Sequence, residues 1–448
     1  MKKNTFPIAF LSILGLTNSG VEAQVTSRPN IIVVLVDDLG YGDLSCQNFA
    51  KDIKTPNIDK LLNQGIRFTN LHANCTVSSP SRAALLTGKY PDMVGVPGVI
   101  RTNPNESWGY LSQNATLLPE ILKKHNYSTS IIGKWHLGLE NPNTPNKRGF
   151  DFFHGFLGDM MDDYYTHLRE GNNYMRKNDE VINPTGHATD LFTDWAIDHI
   201  KDEVRNENPF FMYLAYNAPH DPIQPPTEWL DKVLKREKKI TSERANLVAL
   251  IEHLDYNIGR LLTYLESSGT IDNTIVFFAS DNGGKLSYGA CNGNLRGGKE
   301  DMYEGGIKVP AGAYWKNKIK PAVNSNLVML FDLFPTICDL AGVKSEMKID
   351  ALSILPILNG VDQITDQRTI FWMRREGNLL YGGHTYYAVR NGDFKLLQNT
   401  PWESRQLFNI KKDGSEKKPL RLDSPEYNKL SLELMDHIRK SGSVPWQK

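Results

Sequence analysis

At 448 residues and 40% hydrophobic composition, the chain has room for one large α/β domain plus an appendage, and it can bury a core without covalent staples. Lys+Arg and Asp+Glu both total 51, which excludes an overall charge suited to nucleic acid or an anionic membrane, so any anion chemistry has to come from a local site. The four cysteines, Cys46, Cys75, Cys291 and Cys338, are too scattered for a disulfide framework and lack zinc spacing; one bridge and free buried thiols both stay open.

In chain order, Lys2 and Lys3, an apolar stretch at 6–16 and the small-residue site Val21-Glu22-Ala23 read as a signal peptide over 1–23. The expected mature protein is exported, periplasmic or secreted. No later run reaches the roughly 18 apolar residues of a membrane span. The β-branched and apolar run at 30–36 predicts a strand buried on both faces. Thr55 and Pro56 predict an N-cap and first helical position. Pro80 and Gly88 frame a short helix, with Ser78 just before its N-terminus, where backbone N–H groups and the dipole favour an anion. Arg82, one turn in, can return toward the same charge.

Further apolar runs at 129–132, 210–216 and 274–279 alternate with helical stripes. One pattern contains Leu191-Phe192, Trp195-Ala196 and His199-Ile200; another has Leu247, Ile251, Leu254, Ile258, Leu261 and Leu265 on one stripe. That alternation predicts an α/β domain with a mostly parallel sheet over 24–360. Beyond it, strand-like runs at 369–373, 385–390 and 393–397, a type I′ hairpin at Asn391-Gly392 and an amphipathic helix at 427–439 predict a small antiparallel subdomain over 361–448.

Reactive groups in parallel sheets gather beyond the carboxyl ends of the strands. Asp37-Asp38 and Asp281-Asn282 end two of the predicted strands. Three carboxylates and an amide make an oxygen set suited to Ca²⁺ or Mg²⁺ rather than zinc, although Asp and Asn taken singly also cap turns and helices.

The segment Ser78-x-Pro80-Ser81-Arg82-Ala-Ala-Leu-Leu-Thr-Gly88 resembles the signature of the type I, formylglycine-dependent sulfatases. So do Asp37-Asp38-Leu-Gly-Tyr-Gly-Asp43, Gly133-Lys134-Trp135-His136-Leu-Gly138, Pro219-His220, Asp281-Asn282-Gly283 and Gly297-Gly298-Lys299, in that family's order. The resemblance implies an alkaline-phosphatase-like fold with a large, mostly parallel sheet flanked by helices. It implies Ser78 oxidised to formylglycine by a maturation enzyme, as in serine-type bacterial members. It further implies one divalent cation, Ca²⁺ preferred over Mg²⁺, held by Asp37, Asp38, Asp281, Asn282 and the modified Ser78. Lys134 and Lys299 match lysines that hold sulfate oxygens, Arg82 and His136 match groups that support the formylglycine, and His220 matches the histidine facing the bridging oxygen.

The chemistry explains the aldehyde. A sulfated serine would have to be hydrolysed by the same difficult reaction, whereas a hydrated aldehyde can attack with one hydroxyl and expel sulfate with the other. Two other readings remain: a phosphodiester or phosphonate monoester hydrolase of the same superfamily, and a non-catalytic glycan-binding relative. The substrate expected is a sulfated carbohydrate, best a sulfated galactose or N-acetylgalactosamine. Candidate specificity residues are Arg101 and Trp108 in the 95–110 insertion, with Arg374, Arg375 and His384; each also has an ordinary surface or packing role open to it.

Overall fold

In the computed structural model the described residues are Met1 and 28–445, apart from 104–105, 108, 207, 344–346, 362–364, 366 and 377–383. The leader reading over 1–23 and the candidate Trp108 therefore lie outside the described residues. Among the described residues, no helix is long and apolar enough to cross a membrane.

The run at 30–36 forms the strand Asn30–Val36, and its side chains divide by parity. Ile31, Val33 and Leu35 enter one apolar cluster, and Ile32, Val34 and Val36 enter another on the opposite face. A strand covered on both faces is what a continuous apolar run encodes. It pairs in parallel with Thr274–Ser280 on one side and Phe210–Ala215 on the other. Ser128–Lys134 and Phe152–Phe156 extend the parallel core. Short antiparallel strands are added toward both edges, including Ala311–Trp315 and Met175–Lys177, giving a ten-stranded mixed sheet.

The long helix Ser242–Ser267 buries its predicted stripe and is capped by the Thr241 side chain, which accepts from the Arg244 N–H. It also caps another element. Pro56–Gln64 begins as expected, with Thr55 at the N-cap position and Pro56 in the first turn, but the Thr55 hydroxyl makes no cap. It donates to Asp59. The free N–H groups of Asn57 and Ile58 instead donate to the Asp255 carboxylate of the long helix.

The C-terminal region forms a four-stranded antiparallel sheet from Thr369–Arg375, Thr385–Asn391, Phe394–Gln398 and Gln406–Asn409. Its hairpin differs from expectation by one residue. Asn391 pairs with Phe394, so Gly392 and Asp393 form the turn, with Gly392 at φ 57°. The helix Pro425–Ser441 covers one face through Leu430 and Leu434. The other face docks on the main domain through Trp372, whose indole donates to the Ala73 carbonyl. All four cysteines are free thiols.

Candidate active site

The sheet order places the carboxyl ends of Thr274–Ser280, Asn30–Val36, Phe210–Ala215 and Ser128–Lys134 side by side. Asp281-Asn282, Asp37-Asp38, His220 and Lys134-Trp135-His136 are therefore carried to one end of the sheet by adjacent strands. The helix Ser78–Thr87 is buried throughout and points its N-terminus at this end. Ser78 is its first residue rather than the one before it, and Gly88 closes it in the left-handed region at φ 66°. The Ser81 hydroxyl ties the preceding loop by donating to the Cys75 carbonyl and accepting from the Cys75 N–H.

A dense charge network follows. Ser78 Oγ donates to Asp37 Oδ1 at 2.8 Å, with Asn282 Oδ1 at 3.5 Å. Lys134 Nζ lies 2.5 Å from Asp37 Oδ2, and Lys299 Nζ lies 2.7 Å from Asp38 Oδ2. Asn282 Nδ2 donates to Asp38 Oδ1 at 2.7 Å. Arg82 does not turn back to Ser78. It engages Asp281 Oδ2 through Nη2 at 2.8 Å and Nε at 3.1 Å, with Asp37 at 3.5 Å.

The titration behaviour of this cluster follows from its burial. Burial pushes Asp37 upward, but Lys134, His220, Arg82 and Lys299 outweigh it and hold the carboxyl well below its usual range. Asp281 moves the other way, to about 7, because burial and the neighbouring Asp37 and Asp38 carboxylates outweigh Arg82. Three crowded carboxylates with an amide oxygen and the Ser78 oxygen fit a hard divalent cation by donor chemistry. Asp37, Asp38 and His220 form one of two trios among the described residues whose donor atoms all lie within 4.8 Å of one another, the other being His187, Asp190 and His253 away from the Ser78 cavity. Asp281 lies against the first trio, accepting from the Asp38 N–H at 3.2 Å.

His220 has a defined tautomer. Its Nδ1 lies 2.7 Å from the Asp221 carbonyl and donates to it, leaving the Nε2 lone pair to face Lys299 Nζ at 2.9 Å. His136 takes a left-handed backbone, φ 61°, and donates from Nε2 to the Ile100 carbonyl. Its Nδ1 is buried and has no hydrogen-bond partner. Burial, then Lys134 and Arg82, push the imidazole well below its ordinary range, so it is neutral. His136 lines the same cavity as Ser78, so this orphaned acceptor is left for a donor that enters there.

A cavity of about 220 Å³ opens above this network. Of the residues singled out from sequence, Ser78, Arg101, His136, His220, Lys299 and Arg374 line it. Lys134, Asp37, Asp281 and Asn282 are fully buried beside it. Arg375 and His384 are not among the lining residues, and His384 pairs with the Tyr386 hydroxyl. Arg374 is braced by Glu376 at 3.1 Å and by the Glu300 carbonyl at 3.2 Å. The cavity wall also holds Asp159, Met160, Arg169, Asp221, Lys285 and Glu300, which the sequence reading passed over. Asp221, Lys285 and Glu300 sit one or two residues after recognised motifs. Asp159 and Arg169 lie in a stretch with no motif to mark them.

The profile of the sulfatase family matches residues 29–343. The chain belongs to the sulfatase family. It is a sulfuric ester hydrolase, and a second profile, the C-terminal region of N-sulphoglucosamine sulphohydrolase, matches residues 298–443. This sulfatase is 35% identical to the N-acetylgalactosamine-6-sulfatase of Mus musculus over 86% of its own length and 74% of that protein's. It is 31% identical to human arylsulfatase A, over 83% of this chain and 75% of that one. A solved structure of Ps i-CgsB in complex with k-i-k-neocarrahexaose superposes with a TM-score of 0.85 at 31% identity, covering 94% of this chain and 95% of that one.

Proposed function

We propose that this sulfatase releases inorganic sulfate from a sulfated galactose or N-acetylgalactosamine unit of a glycan, with Ser78 oxidised to formylglycine by a maturation enzyme. The observation that carries the reading is the position of Ser78. It is the first residue of a buried helix, bonded to Asp37, and it lines a cavity shared with His136, His220 and Lys299.

Formylglycine at this position supplies a nucleophile that can discharge sulfate without hydrolysing a serine sulfate. A divalent cation, Ca²⁺ by the family resemblance, would be held by Asp37, Asp38, Asp281 and Asn282 with residue 78, and supplies positive charge against the transferring group. Lys299 lines the cavity, where it would neutralise sulfate oxygens, and Lys134, buried on Asp37 beside it, adds fixed positive charge next to the site. Arg82 holds Asp281 in place. His220, anchored through Nδ1 on the Asp221 carbonyl, presents Nε2 to the departing sugar oxygen and, when doubly protonated, would give it the Nε2 proton. His136, kept neutral, offers Nδ1 as a proton acceptor in the cavity that residue 78 also lines.

The sugar assignment draws support from the N-acetylgalactosamine-6-sulfatase relative and from the cationic wall of Arg101, Arg169, Lys285 and Arg374. An exported, periplasmic or secreted enzyme remains the reading of residues 1–23. The test is sulfate release by protein co-expressed with a maturation enzyme, against galactose sulfates, N-acetylgalactosamine sulfates, nitrophenyl sulfate and a phosphonate monoester. Turnover of the sugar sulfates above the others is expected. Preference for the phosphonate ester, or no release from any sulfate, would overturn the reading.

A further inference from the structure

Beyond the cavity over Ser78 lies a second depression of about 530 Å³, and the two share Met160 and Asp221 in their walls. They are therefore neighbours. Their charge differs. At the sulfate end Arg101, Arg169, Lys285, Lys299 and Arg374 outnumber Asp159, Asp221 and Glu300. The second groove carries three carboxylates, Asp162, Asp221 and Glu243, and its described lining residues include no lysine or arginine.

The rest of the groove is suited to sugar. Met160, Pro222 and Ile223 give an apolar floor, and Ser242, Asn246 and the Tyr288 hydroxyl add neutral polar groups. Carbohydrate recognition uses this combination of apolar surface for C–H faces and a few placed polar groups for hydroxyls. Asp162 is already engaged by Arg169 at 2.8 Å, and Asp221 lies 3.3 Å from His220 Nδ1. Glu243, in the first turn of Ser242–Ser267, is left as an adaptable contact, and Asn246, one turn on, whose Nδ2 donates to the Ser242 carbonyl at 2.8 Å, offers its amide oxygen as an acceptor. A carboxylate accepts well from a sugar hydroxyl and repels a sulfate or uronate placed against it.

We propose that this groove is a subsite for the unit next to the sulfated one, and that it takes a neutral hexose or N-acetylhexosamine and rejects one bearing its own sulfate or carboxylate. The inference rests on the glycan-sulfatase reading above and narrows it to sparsely sulfated glycans whose charged unit has a neutral neighbour. A glycan charged on every unit would put one anion in the cationic cavity and the next against Glu243.

The experiment compares kcat/KM of the matured enzyme on a sulfated monosaccharide, on the same sugar extended by one neutral galactose, and on the doubly sulfated disaccharide. The neutral extension is expected to raise kcat/KM about tenfold, as one or two well-made hydrogen bonds allow. Asn246→Ala should remove most of that gain while leaving the monosaccharide rate unchanged. Glu243→Lys should reverse the order of the two disaccharides. Equal rates on mono- and disaccharides, unaltered by either variant, would overturn the subsite and leave the sulfatase reading standing. Binding of unsulfated galactotriose, measured by calorimetry, separates the two claims. Saturable binding weakened by Asn246→Ala in a protein that releases no sulfate from any sugar would keep the subsite and remove the proposed function, whereas no such binding in that protein would remove both.

Discussion

Residues of ordinary type acquire their chemistry here from where the strands end. Arg82 is fully buried and faces Asp281 and Asp37, and these carboxylates, with Tyr213, raise its pKa above the usual arginine value despite burial. Removing the cation would leave crowded carboxylates without compensation. Arg82→Met is therefore expected to cost about 3–5 kcal/mol of stability, read from the shift of a guanidinium unfolding curve in a chelator. His220 offers a catalytic prediction. Sugar alkoxides are poor leaving groups and nitrophenolate is a good one, so His220→Ala should lower kcat on sugar sulfates by about 10²–10⁴ and on nitrophenyl sulfate far less. An equal loss on both would remove the general-acid role. The residues at the strand ends were legible because each sits in a motif that ends an apolar run. Lys134 also shows what a motif cannot tell. Its ammonium is wholly buried on Asp37 rather than lining the cavity, which depends on the depth of neighbouring strands.

At the scale of elements, apolar periodicity predicted most of the central strands and the long helix, because burial on both sheet faces leaves little freedom in register. It did not predict the helix cap at Pro56–Gln64, which comes from Asp255, 197 to 198 residues away in sequence. The hairpin shifted by one residue because strand pairing of Asn391 with Phe394 set the turn, not the Asn-Gly preference. A clamp between the C-terminal subdomain and the segment after Lys299 was equally invisible. Asn399 accepts from the Met302 N–H and donates to Asp301, and Lys395 is buried between Glu304 and Glu416 at 2.9 Å each. These contacts hold the segment that carries Lys299 and Glu300. Asn399→Ala, distant from substrate, is expected to reduce kcat several-fold with little change in KM, the split expected when a group acting in the transition state is loosened. A change confined to KM would count against the clamp as a positioning device.

For the whole molecule, buried histidines set the acid limit. Burial pushes His72, His187, His154 and His199 down to about 4, while the unfolded chain titrates each near its ordinary value. The folded form therefore binds fewer protons between about pH 6.5 and 4, so their stabilisation is complete above 6.5 and is lost as pH falls through that window. For the fully buried His72 the loss approaches about 3 kcal/mol. Glu304, held well below its usual range by Lys395 and His72 against the upward push of burial, adds to it as pH falls further. Asp43, raised to about 6, and Asp255 and Asp281, each raised to about 7, all by burial, work the other way and offset much of that loss. The histidine share is read by comparison: from pH 7.5 to 4.5 the unfolding midpoint of His72→Gln should fall less than that of the parent protein. The same profile for both would contradict it.

The central claim is that residue 78 works as formylglycine, and mass spectrometry of the peptide carrying it tests that most directly. Protein matured in an anaerobic host should show residue 78 lighter by about two hydrogens, with sulfate release rising in proportion to the modified fraction. Full turnover by protein whose Ser78 is unmodified would contradict the account.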